Sequence, residues 1–74
     1  MLSDNEVKLK FDKLSNKLRA GLFTEVINET LVLLKKRQHQ VFFNILSVAY
    51  QSIGEFQKSS DIMDRALQMN ANNP

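Results

Sequence analysis

The 74-residue chain contains no cysteine and a single histidine, His39. Disulfides and thiolate metal sites are excluded, no histidine cluster exists to hold zinc, and no cofactor or metal is expected. Proline occurs once and glycine twice, a scarcity of breakers that argues against disorder and against a turn-rich all-β fold. The longest unbroken apolar run, Leu31-Val32-Leu33-Leu34, is far short of the roughly 20 residues that cross a bilayer. No membrane partner is expected. Met1-Leu2-Ser3-Asp4-Asn5-Glu6 is acidic where a secretory leader is basic and then apolar, which suggests a cytoplasmic location. Ten Lys and Arg against eight Asp and Glu leave a net charge of only +2, too little for a protein held to nucleic acid by charge. A chain this short holds one core and one domain, 1–74.

What is present is helical periodicity. Ser3 and Glu6 have the spacing of a capping box, with Leu2 and Val7 placed as a hydrophobic staple and Asp4–Lys8 and Glu6–Lys10 as favourable pairs. Val7, Phe11, Leu14 and Leu18 follow on one face, and Gly21 suits a left-handed helix terminus. A second stripe of Phe23, Ile27, Leu31 and Leu34 fades into Lys35-Lys36-Arg37, where cations complement a helix C-terminus. A third stripe of Phe43, Leu46, Ala49, Tyr50 and Ile53 is stopped by Gly54. A fourth holds Phe56, Ile62, Met63, Ala66 and Leu67, with Asp61 and Arg65 as an i,i+4 pair. The spacing predicts an all-α fold of four antiparallel helices over about 3–20, 23–37, 40–53 and 56–69, joined as two helix–turn–helix hairpins.

The hairpins resemble each other. Phe11-x-x-Leu14-Ser15-x-x-Leu18 recurs as Phe43-x-x-Leu46-Ser47-x-x-Tyr50, displaced by 32 residues, and Phe23 and Leu33-Leu34 recur as Phe56 and Ala66-Leu67, displaced by 33. Two helices repeating at this period mark an α-solenoid unit. Small side chains at Ser47, Ser59 and Ala66 would let helices approach while Phe43, Leu46, Tyr50 and Phe56 fill the gaps between them.

On Phe43, Leu46, Ser47, Tyr50, Gly54, Phe56, Ser59, Ala66, Leu67 and the tail Asn70-Ala71-Asn72-Asn73, the second unit (about 40–73) resembles a tetratricopeptide repeat. The first unit (about 6–39) is a degenerate copy. It has Val26 and Leu33 where that family prefers small residues and is one residue shorter, by sequence, in the hairpin turn and again before the second unit. Ala71 stands where the family usually has a proline. The resemblance implies a right-handed solenoid fragment acting as a protein-interaction scaffold, with a peptide or partner helix held on the concave face. By position, Leu9, Asp12, Asn16, Arg19 and Ala20 in the first unit, and Val41, Asn44, Val48, Gln51 and Ser52 in the second, would face that ligand. Asn16 and Asn44 could bond a peptide backbone from both sides of the amide and Arg19 could meet a carboxylate. The same residues are also what any amphipathic helix shows to water. Family members that clamp the carboxylate tail of heat-shock chaperones carry a lysine where this chain has Asp12, so that ligand is not implied.

The alternative implied by the resemblance is an N-terminal or regulatory repeat segment of a larger bacterial enzyme, such as a glycosyltransferase or sulfotransferase that carries these repeats. No nucleophile–base, phosphate-loop or metal-ligand spacing marks the chain itself as an enzyme, and Asp61 and Asp64 have no evident pocket to act in. The basic run 35–40 lacks interleaved aromatics and reads as a solvated helix end, so no nucleic acid is expected as a partner. Two stacked units form a marginal core with exposed end faces. Apolar surface at Ile62, Met63 and Met69 therefore suggests a homodimer or higher self-association, either face to face or swapped by fusion of the second and third helices.

Overall fold

The structure, a computed structural model, describes residues 2–71 and the side chains of 2–69. Four α-helices make up the fold: α1 (Asp4–Arg19), α2 (Phe23–Lys36), α3 (Gln40–Ser52) and α4 (Phe56–Ala71). The expected tail at Asn72 and Asn73 lies outside the described residues. Helix α4 runs through Asn70 to Ala71 rather than ending at 69, because no proline there removes a backbone donor.

The capping box forms as the sequence predicts. Ser3 Oγ accepts from the Glu6 N–H at 3.3 Å, and Glu6 Oε1 accepts from the Ser3 N–H at 3.3 Å. Leu2 and Val7 are both buried. Hydrogen bonds from the Ser3 backbone and hydroxyl hold the Glu6 carboxyl below its ordinary pKa. Neither Lys8 nor Lys10 pairs with α1's acids among the described residues; Asp4 reaches Arg37 instead.

Both hairpins turn by the same device. Gly21 and Gly54 each adopt φ +81°. The Gly21 and Leu22 N–H groups donate to Leu18 and Lys17 O at 3.1 and 3.0 Å, while Gly54 and Glu55 donate to Gln51 and Tyr50 O at 3.1 and 2.9 Å. These are Schellman closures, which use a left-handed residue to satisfy the last helical carbonyls. The turns match residue for residue, so the residue missing from the first unit is absent from α1's last helical turn and not from the hairpin turn where sequence alignment put it.

Helix α3 packs on the other three, whereas among the described residues no α4 Cα lies within 8 Å of one in α1 or α2, and Arg65 of α4 only borders a cleft of about 340 Å³ with Leu31, Leu34 and Lys35 of α2. A closed four-helix bundle would bring first and last helices together. This one stays open, as a slab of 36 × 28 × 16 Å. The α3–α4 packing is close because Ser47 and Ser59, both buried, share a hydrogen bond between their hydroxyls at 2.7 Å, and Ala66, about two turns further along α4, is buried as well. Val26 and Leu33 occupy the places of Ser59 and Ala66 in the first hairpin and are also buried. Their bulk is consistent with the sparser α1–α2 packing and with a cleft of about 340 Å³ between those helices.

The core comprises Val7, Leu14, Val26, Ile27, Leu33, Leu34, Phe42, Phe43, Ile45, Leu46, Ala49, Ile62 and Ala66, together with Leu2. Three sequence expectations are corrected here. Phe56 and Leu67 are not core: they are 69% and 63% exposed, and Ile62, expected to be uncovered, is 5% exposed. The reason is rotational. Ser59, Ile62, Ala66 and Met69 form the arc of α4 that meets α3, and Phe56, Met63 and Leu67 lie on the adjacent arc. The Asp61–Arg65 pair is also replaced, since Asp61 accepts from Gln57 at 3.0 Å and the Arg65 guanidinium lies 5.7 Å from the Phe43 ring centre.

Leu46→Ala is expected to cost about 2–5 kcal/mol in urea denaturation, because a fully buried side chain leaves a cavity. Phe56→Ala should cost less than about 1 kcal/mol, as expected for a side chain left mostly in water. Equal losses would contradict the rotational setting of α4.

Candidate functional site

Helices α1 and α3 lie side by side, and between them runs a groove of about 170 Å³ lined by Phe11, Ser15 and Leu18 on one wall and Asn44, Ile45 and Val48 on the other. The walls follow from helical spacing. Phe11, Ser15 and Leu18 occupy the outer edge of α1's apolar stripe and are half-buried, while Val48 stands out from α3 and is exposed. No charged side chain lines this groove. Its chemistry is apolar, with a hydroxyl and a carboxamide as the polar groups.

Of the residues expected to face a ligand, Asn44 and Val48 line the groove. Leu9, Asp12, Asn16 and Arg19 are exposed on α1, on a stripe rotated about a third of a turn from Phe11, Ser15 and Leu18. They form a shoulder to the groove rather than a wall. Ala20 is exposed as the C-cap of α1. Val41 is half-buried and packs against the core. Gln51 is exposed, and the Ser52 hydroxyl donates to the Val48 carbonyl at 2.9 Å. The Asn44 side-chain oxygen accepts from Gln40 Nε2 at 3.2 Å. Asn44 therefore offers a ligand chiefly its amide hydrogens instead of both sides of the amide.

Sequence reasoning missed Phe11, Ser15, Leu18 and Ile45 as groove residues. Phe11 and Leu18 were legible as part of a core stripe, and Ser15 only as a member of the repeated motif. What leaves them open to a ligand is the lateral spacing of α1 and α3, which no periodicity encodes.

The basic run is divided by the fold. Arg37 donates to the Leu2 carbonyl at 3.0 Å and pairs with Asp4 at 2.9 Å, latching the start of the chain onto the α2–α3 link. His39 caps α3, its Nδ1 accepting from the Val41 N–H at 3.2 Å while its ring stands edge-on to Phe42. Lys35 and Lys36 remain exposed. Across the first hairpin, Lys17 is held by Glu29 and more distantly by Glu25, and the Glu29 carboxylate raises the lysine's pKa. Among the described residues no group of three or more His, Asp or Glu side chains is placed to hold a metal ion, and no helix is long and apolar enough to cross a membrane.

No protein-family model, curated protein or solved structure matches the chain.

Arg37→Ala is expected to cost about 1 kcal/mol, because it removes both a charge-assisted hydrogen bond to a carbonyl and an ion pair to Asp4. Lys35→Ala and Lys36→Ala should fall within about 0.5 kcal/mol of the parent. Urea midpoints that rank the three alike would count against the latch.

Proposed function

We propose that this chain is a protein-interaction scaffold module of tetratricopeptide-like type, which receives an extended peptide or a partner helix along the α1–α3 face. The observation that carries this reading is the open groove between the first helices of two hairpins built on the same turn. Phe11, Leu18, Ile45 and Val48 offer apolar contact, and the Asn44 amide offers a donor to a ligand carbonyl. Asp12, Asn16 and Arg19 supply a polar shoulder, with Leu9 as its exposed apolar point, on which flanking residues of the ligand are read. The uncharged walls favour a ligand that presents apolar side chains over one recognised by a terminal carboxylate.

The internal duplication also supports the resemblance. Recurrence of the Gly21 closure at Gly54 extends the similarity of the two units from side-chain pattern to backbone geometry. A second helical pair stacked on a first is the unit from which repeat scaffolds are assembled.

The test is selection of peptides from a displayed random library on the folded protein, followed by titration of the selected sequences by fluorescence anisotropy. Val48→Glu alters an exposed groove position and should weaken binding at least about tenfold, without changing helicity. The double change Lys35→Ala, Lys36→Ala should leave affinity within about twofold. Binding lost with the lysines and retained with Val48→Glu would overturn the groove reading in favour of charge-driven attachment.

A further inference from the structure

Phe56, Met63 and Leu67 form an exposed apolar stripe along α4, at 69%, 41% and 63% exposure. The duplication in the chain shows what such a stripe is for. Thirty-three residues earlier, the equivalent positions on α2 are Phe23, Thr30 and Leu34; Thr30 and Leu34 are buried and Phe23 is half-buried, on the side where α3 packs. This face of a hairpin's second helix is a seat for another helix. On α2 the seat is filled from within the chain, and on α4 it stands open among the described residues.

A head-to-tail copy is a poor occupant. Helix α3 enters its seat with Phe42, Ile45 and Ala49, all buried. The equivalent residues of α1, thirty-two positions earlier, are Lys10, Lys13 and Lys17. Three ammonium groups cannot enter an apolar seat without a large desolvation cost, so α1 is a polar end face that stops stacking in that direction.

The α4 stripe is, however, complementary to itself. Phe56, Ser60, Met63 and Leu67 are spaced 4, 3 and 4 residues apart, a palindrome about its midpoint. We propose that α4 pairs with α4 of a second copy, antiparallel and across a twofold axis, with Phe56 of each copy against Leu67 of the other and Met63 over the partner's Ser60. The small serine lets the axes approach at the centre. At the edge of the stripe, Asp64 faces the partner's Gln57, whose amide can donate to it, so no like charges are brought together. This pairing is isologous and closed, and it leaves the α1–α3 groove of each copy unoccupied.

Sedimentation equilibrium from micromolar to about 1 mM protein reads the mass. A seat one helix wide is smaller than the roughly 800 Å² per partner of a standard interface, so the dimer should build up over the upper part of that range. Leu67→Glu alters a side chain that is already exposed, so helicity should persist while the dissociation constant rises at least about tenfold. The cysteine-free background permits a second, geometric readout. When Phe56→Cys and Leu67→Cys proteins are mixed and oxidised, the mixed disulfide should form faster than either symmetric one. A mass of 8.5 kDa at every concentration, an unaffected Leu67→Glu dimer, or faster symmetric disulfides would each overturn the proposal, and the first would assign the seat to a foreign helix. Selected peptides that bind Leu67→Glu as they bind the parent would separate failure of the dimer from failure of the groove.

Discussion

Helix α3 is the constraint from which the other placements follow. Of its thirteen residues, Phe42, Phe43, Ile45, Leu46, Ser47 and Ala49 are buried, because α1 and α2 pack along it from one direction and α4 from another. A helix so widely apolar is unstable alone and needs neighbours on several faces. The adjacent Phe42 and Phe43, which one stripe cannot explain, mark this: Phe43 belongs to the face repeated from the first hairpin, and Phe42 to the face that enters the α1–α2 seat.

Because α3 lies between the first hairpin and α4, the described residues leave an open face at each end, and the two faces differ. At α1 the seat-entering positions carry Lys10, Lys13 and Lys17, with Lys17 tied to Glu29 on α2. At α4 the seat-forming positions carry Phe56, Met63 and Leu67. One end therefore presents ammonium groups and the other apolar side chains. The latch from Arg37 to Leu2 and Asp4 fastens the start of α1 to the link before α3, which compensates for sparse packing between α1 and α2.

The groove is a by-product of the same arrangement. Helices α1 and α3 stand side by side because each is the first of its hairpin and both hairpins turn through the same left-handed glycine closure. Their meeting edges are the half-buried margins of two apolar stripes, which leaves an uncharged channel with Ser15 and Asn44 as its polar points. Lys35 and Lys36 belong to the helix end before α3 and do not line that channel, so charge and groove are physically separate features of the surface.

Four helices, the Ser3–Glu6 capping box, both glycine turns and the two-unit period were legible from the residues, because each depends on local spacing along the backbone; the His39 cap of α3 was not. Ser3 and Glu6 cap whatever follows them, and a glycine at a helix end offers the left-handed conformation at no steric cost. Burial on α4 was legible only in part: the small Ser59 and Ala66 are buried as their size predicts, whereas Phe56, Ile62 and Leu67 are not where their hydrophobicity placed them. Phe56, Ile62, Met63, Leu67 and Met69 are all apolar and span nearly half the helix circumference, wider than the arc that meets α3, so hydrophobicity alone does not select that arc. The buried hydroxyl pair of Ser47 and Ser59 sets that rotation, a contact between residues twelve apart in sequence and in different helices. The groove walls were hidden for the same reason: local sequence determined which stripes are apolar, and only the lateral packing of α1 against α3 decided which margins stay open to a ligand.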